Sequence, residues 1–361
     1  MSSRIAPALL AATLLIAVAQ PAPANAAGRP LYGVVPQTEL EARDFRRMQR
    51  GGIDAVRVWF AWSAIDPTAP SGDYAFESTD AIVADAARSR VTVLPFLFAT
   101  PEWVADQLDH RRCGDCGVYA PRSPAALDAW AEFVRAAVDR YGPRGDFWAA
   151  HPGLRPRPIR VWQVWNEPNS RVFFAPRPAP RGYARVLRAA SRAVSSGDPG
   201  AKVILGGMAQ LAGSRKAITG TSFLRRLYRI KGIERQFDGV AVHPYGAKAV
   251  AAIDQVESFR GEARRARDSR SSLWVTEVGW SSAHGGHPLE VGPRGQAQRL
   301  RTTFGHLRRN RGRLNLGGAF WYSWMDTRVR ICDWCSKAGL LRRGLRPKPA
   351  WHALQRFTRP G

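Results

Sequence analysis

Four short apolar runs recur along this chain at a spacing that few folds accommodate. They cover 159–166, 201–207, 237–245 and 272–280, each rich in β-branched or aromatic residues. The first delivers Glu167 at its end and the last carries Glu277 near its end, 110 positions further on. Three strand-to-strand steps of roughly 37 residues leave room for a strand, a loop, a helix and a return loop, which is the unit of a βα barrel. Upstream, 31–35, 53–60 and 91–99 predict strands one to three, and 317–326 predicts strand eight. Helical patterning fits 39–50, 78–88, 125–141 and 183–194, and 347–357 closes the chain as a helix with Pro347 at its start. Pro95 inside the third run predicts a bulge, because Pro cannot donate to a sheet ladder. The fold class is therefore α/β, a single (β/α)8 TIM barrel.

The ends of the chain bear on where it works. Residues 1–26 read as an export signal: Arg4 supplies the basic start, 5–19 a short apolar core, and Ala24-Asn25-Ala26 a cleavage site. The core is too short for a membrane anchor, and no other run is long enough to span a bilayer. A secreted, extracellular protein with no transmembrane segment is expected. What remains, 27–361, suits one large barrel, and no Gly/Ser-rich linker divides it. The formal charge is +25, of which the signal holds one unit, and only six of the 54 basic residues are Lys. Arginines scattered along amphipathic helices read as a solvated outer ring, and no nucleic-acid recognition motif accompanies them. The charge still permits attraction to an anionic polysaccharide or an acidic cell surface.

Four cysteines come as Cys113-Gly-Asp-Cys116 and Cys332-Asp-Trp-Cys335. By the barrel register they fall in the loops after strands three and eight. An exported chain favours two local disulfides, with a four-thiolate zinc site or crossed pairing as the alternatives. No other metal-ligand motif, phosphate loop or dinucleotide fingerprint is present, so no cofactor or catalytic metal is inferred.

A carboxylate at the tip of an apolar strand is costly unless it is paired or hydrogen-bonded, and two strands end this way here. In Trp165-Asn166-Glu167-Pro168-Asn169 the Pro stops pairing where the carboxylate emerges. Thr276-Glu277-Val278-Gly279-Trp280 is its counterpart. These two motifs resemble the retaining glycoside hydrolases of clan A, and most closely its β-xylosidase and α-iduronidase group (family 39-like). The resemblance implies Glu167 as general acid/base after strand four and Glu277 as nucleophile after strand seven. It also implies a carbohydrate substrate, cleaved by double displacement. In the clan an Arg from strand two and a Tyr from strand six lie near the nucleophile, positions that Arg57 and Tyr245 match. His243-Pro244-Tyr245 is similar to the His-x-Tyr seen after strand six in several of its families. Asn166 would donate to the sugar 2-hydroxyl.

Thirteen Trp are available as sugar platforms, and Trp59, Trp62, Trp103, Trp280, Trp321 and Trp324 fall at strand ends. Trp321 is selected because it shares strand parity with the small Ala319 and Ser323; Trp324 is its rival. Trp274 has opposite parity to Glu277 and is expected to face the helices. The chain is expected to act as a monomer. Two other classes compete: a carbohydrate-binding barrel without catalysis, and a polyanion-binding surface protein.

Overall fold

The computed structural model describes residues 29–68, 72–106, 116–211, 213–214 and 216–358. The export segment 1–26 and Cys113 lie outside the described residues. Eight parallel strands close into a barrel. They are β1 (Leu31–Val35), β2 (Ala55–Ala61), β3 (Thr92–Phe98), β4 (Val161–Val164), β5 (Lys202–Leu205), β6 (Gly239–His243), β7 (Ser272–Val278) and β8 (Leu316–Tyr322). Closure is made by β1 against β8, in register from Leu31↔Gly318 to Val35↔Tyr322. Between β5 and β6 the ladder is thin, and Met208–Ala209 continues it beside Val242 and His243.

Around the barrel run α1 (Ala42–Gly51), α2 (Glu77–Arg88), α3 (Pro124–Tyr141), α4 (Pro180–Gly197), α5 (Gly220–Tyr228), α6 (Ala249–Arg265), α7 (Gly292–Arg309) and α8 (Pro349–Thr358). Helix α3 shows how local sequence sets such an element. Ser123 caps it by accepting from the Ala126 N–H, and Pro124 opens it. Trp130, Phe133, Val134, Ala137, Val138 and Tyr141 then fall on one face at helical spacing and are buried. Among the described residues no helix is long and apolar enough to cross a membrane.

The apolar interior is divided in two. A large layer fills the space between strands and helices, while Val35, Ala55, Leu94, Ile204, Ala241, Trp274 and Phe320 fill the barrel itself. Trp274 therefore points inward, against its expected outward direction. The ladder of β7 on β8 is irregular between Val275 and Val278, so the two-residue alternation does not carry through to Glu277. Gly239 makes the room: a Cβ there would meet the Trp274 ring at 2.8 Å.

Pro95 produces no bulge either. Its register on β2 is continuous from Ala55↔Thr92 to Ala61↔Phe98, and pairing to β4 begins only at Phe96. The missing N–H falls where no β4 partner needs it. Behind the mouth, buried Lys348 ties the loops after β7 and β8 to the start of α8, donating to Asp326 Oδ1 at 2.8 Å and Ser282 Oγ at 2.9 Å. Burial pushes its ammonium down to about 8, against the pull of Asp326.

Candidate active site

Six of the seven predicted substrate-site and catalytic residues converge at the carboxyl ends of the strands. One oxygen each from Glu167 and Glu277 and a ring nitrogen of His243 lie within 4.8 Å of one another. Arg57 is fully buried and holds three partners at once: Glu277 Oε1 at 2.6 Å, Gln163 Oε1 at 2.6 Å and Asn166 Oδ1 at 2.8 Å. Its guanidinium lies 3.9 Å above the Phe96 ring. The Tyr245 hydroxyl donates to the other oxygen of Glu277 at 2.7 Å. His243 Nδ1 sits 2.8 Å from Glu167 Oε1, and Nε2 sits 3.0 Å from Thr276 Oγ1.

Donor rules orient this network. Arg57 can only donate, so the Gln163 and Asn166 oxygens must face it. The Gln163 amide nitrogen then donates to Leu205 O at 3.0 Å and to Thr276 Oγ1 at 3.3 Å. The Asn166 oxygen is committed as well, which leaves its amide NH2 as the donor for anything in the cleft. A chain of contacts thus runs from Glu277 through Arg57, Gln163, Thr276 and His243 to Glu167.

Charge is biased toward Glu277. Burial works to raise its carboxyl, but the charges of His243 and Arg57 and the hydrogen bonds from Tyr245 and Arg57 outweigh it, and the net shift is downward. Burial, reinforced by the negative Glu277, pushes the Tyr245 hydroxyl well up, so it stays a donor. The same three ligand atoms could approach a cation, but Arg57 and Tyr245 already occupy both oxygens of Glu277 and Arg57 supplies the positive charge. The donor set suits proton and nucleophile chemistry better than metal ligation.

The backbone is bent to aim Glu167. Trp165 (φ +72°) and Glu167 (φ +36°) both take left-handed conformations that cost a side-chain-bearing residue roughly 1 kcal/mol or more. Asn169 clamps the turn, donating to Ala209 O and Ile218 O at 2.8 Å each. Gly207 is needed beneath it: a Cβ there would come within 2.0 Å of His243 Nε2 and 2.6 Å of Thr276 Oγ1. Gly207 also accepts from the Glu167 N–H at 3.1 Å.

The exception among the predicted residues is Trp321. It has no exposed surface, packs on Trp280 and Phe304, and donates to Ala338 O at 3.1 Å. Its neighbours Phe320 and Tyr322 are the inward ones, so the chosen parity was reversed. The rival Trp324 is buried too, donating to Asp44 and packed on Trp351.

The aromatic surfaces at the mouth belong to other residues. Trp59 is 54% exposed and stacks on Phe98. It lies two positions beyond the inward-facing Arg57, a signal already present in the sequence. Trp334 is half-buried and meets Tyr245 edge-on at 5.3 Å, Tyr322 at 6.0 Å and His287 in a stack at 6.3 Å. Cys332 and Cys335 form a local disulfide around Trp334, with Cα atoms 5.5 Å apart. Gln163 and Thr276 also escaped the sequence reading, although a polar amide inside an apolar strand was a visible hint.

No protein-family model matches the sequence, and no curated protein is similar to it. Solved structures are similar in fold. A family 39 glycoside hydrolase from the gut symbiont Bacteroides cellulosilyticus WH2 superposes with a TM-score of 0.65 at 20% identity, over 91% of this chain and 64% of that one. A GH5_18 protein from Streptomyces cattleya, solved with Manb1-4GlcNAc, gives 0.66 at 19% identity over 91% and 80%. A monomeric beta-xylosidase from Caulobacter crescentus CB15 gives 0.65 at 16% identity over 91% and 68%. The chain thus spans less than two thirds of the first of these and more of the other two. Its barrel is the one these glycoside hydrolases share.

Proposed function

We propose that this barrel is an exported, retaining O-glycoside hydrolase acting on an oligosaccharide or polysaccharide. The observation that carries the reading is the approach of Glu167, His243 and Glu277 to within 4.8 Å of one another at the barrel mouth. Retaining enzymes hold their two carboxyl groups about 5–5.5 Å apart, whereas inverting ones leave about 6.5–9.5 Å for a water. The short separation favours attack by the protein itself.

The environments divide the labour. Glu277, held ionised by Arg57 and Tyr245, attacks the anomeric carbon and forms the glycosyl-enzyme. Glu167 protonates the departing oxygen and then deprotonates the water that releases the sugar. His243 Nδ1 fixes one oxygen of Glu167 and leaves the other for the proton transfer. The Asn166 amide donates to the sugar 2-hydroxyl, a contact that strengthens as the oxocarbenium character grows. Hydrolysis of a panel of aryl glycosides and polysaccharides, followed by NMR of the first-formed anomer, tests the reading. Products of inverted configuration would refute retention. Sugar binding without cleavage of any substrate would point instead to a lectin-like barrel.

Trp59 and Trp334 replace Trp321 as the proposed sugar platforms. Trp59→Ala and Trp334→Ala should each raise KM roughly tenfold with little change in kcat, since stacking on a sugar face acts alike in the ground and transition states. Trp321→Ala should instead lower Tm, because it opens a cavity between sheet and helices. Steady-state kinetics and thermal unfolding of the three variants separate the roles. A KM effect confined to Trp321→Ala would restore the original assignment.

A further inference from the structure

The amino ends of the strands, away from the carboxylates, carry three open depressions that adjoin one another. Arg29, Arg308 and Arg311 surround Tyr32 in the first, of 540 Å3. The second, of 310 Å3, contains Asp54, Arg90, Thr92 and Arg157. The third, of 590 Å3, shares Arg90, Thr92 and Arg157 and adds Arg155. Arg29 bridges the first two, donating to Asp54 at 3.2 Å and to Thr358 O at 3.3 Å. Leu31, Thr92 and Leu316, which line these hollows, are the first residues of β1, β3 and β8. The groove therefore crosses the end of the barrel opposite the catalytic mouth.

Its charge is unbalanced. Asp54 is the one acid among the lining residues, and Arg29 takes it. Among the described residues Arg90, Arg155, Arg157, Arg308 and Arg311 make no ion pair. Burial, then the charges of Arg155 and Arg90, weaken the hold of Arg157 on its proton. At the other end burial pushes the Tyr32 hydroxyl up, against the pull of Arg308, Arg29 and Arg311. Two of the cations are held locally: Arg157 donates to Thr92 Oγ1 at 3.4 Å, and Arg308 lies over the Phe357 ring at 4.9 Å.

We infer that this groove binds an acidic glycan, whose repeated carboxylate or phosphate groups are taken by the two arginine clusters. Guanidinium forks suit such oxyanions, and two clusters separated by Asp54 call for a ligand with repeated charges rather than a single ion. Nucleic acid fits less well. Tyr32 and Phe357 are the only aromatic rings among the described lining residues and both are buried, so no exposed ring offers a stacking platform. Bound here, the enzyme would be held on a polyanion with its mouth directed away from it. The groove shares no residue with the carboxylate pair, so its test is independent of the catalytic reading.

The experiment titrates the protein with polygalacturonate and with inorganic polyphosphate at matched charge, in about 0.15 M salt. Arg90→Ala/Arg157→Ala and Arg308→Ala/Arg311→Ala should each weaken binding at least about tenfold with Tm unchanged. The exposed helical pair Arg192→Ala/Arg226→Ala removes the same charge and should stay within about twofold of wild type. Tighter binding of polygalacturonate would identify uronates as the source of the oxyanion, and tighter binding of polyphosphate would identify phosphates. The inference fails if the helical pair weakens binding as much as the groove pairs. It fails equally if wild type binds neither polymer at this salt, or binds duplex DNA of equal charge more tightly than both.

Discussion

Glu277→Ala should abolish turnover of every glycoside, by about four orders of magnitude or more, however good the leaving group. Without that carboxylate no glycosyl-enzyme can form. Glu167→Ala should behave differently, because an activated aryl glycoside needs no proton to expel its phenolate. That variant should still build the intermediate and then stall for want of a base. Azide can enter the space left by either carboxylate. In the Glu167 variant it would attack the glycosyl-enzyme and give a glycosyl azide of retained configuration. In the Glu277 variant it would attack the substrate directly and give the inverted product. NMR of the azide products reads the outcome, and the opposite pairing would exchange the two roles. Full activity in both variants would remove these carboxylates from the chemistry.

Arg57→Ala should cost stability and activity together. The guanidinium is fully buried, and its loss strands Glu277 Oε1, Gln163 Oε1 and Asn166 Oδ1 without their donor. Breaking one side of such a pair costs about 3–5 kcal/mol. For a chain of this size that lowers Tm by on the order of 10 °C. The pH dependence should move as well. Glu277 binds its proton less readily folded than unfolded, so its contribution to stability is complete above the ordinary carboxylate range. That contribution is lost as pH falls through the lowered folded value. The acid limb of kcat/KM should follow the same group and lie below the usual carboxylate range in wild type. In Arg57→Ala the limb should shift upward, toward neutral pH. Arg57→Met/Glu277→Gln, which removes both charges, should recover much of the Tm while remaining inactive. An Arg57→Ala protein with an unmoved acid limb would show that Arg57 does not set the state of Glu277.

The sequence by itself determined the barrel, because strand runs, helical periods and their spacing are local properties that survive without knowing any contact. It also marked two strand ends as unusual, since a carboxylate at the tip of an apolar strand has few inexpensive places to go. Glu167 and Glu277 stood out for that reason, whereas Arg57, Asn166, His243 and Tyr245 were singled out by resemblance to clan A motifs, and the structure brings all six together. The directions of the tryptophans were not legible. Trp274 turns inward because the β7 ladder is irregular beside Glu277, and Trp321 turns outward because β8 follows the register imposed by β1. Strand parity is reliable only while the ladder is regular, and regularity is a property of pairs of strands. Trp334 and the Gln163–Thr276–His243 relay depend on residues far apart in the chain meeting in space. The arginine groove is the same kind of fact. Its cations come from 29, 90, 155, 157, 308 and 311, and only closure of the barrel brings them to one face.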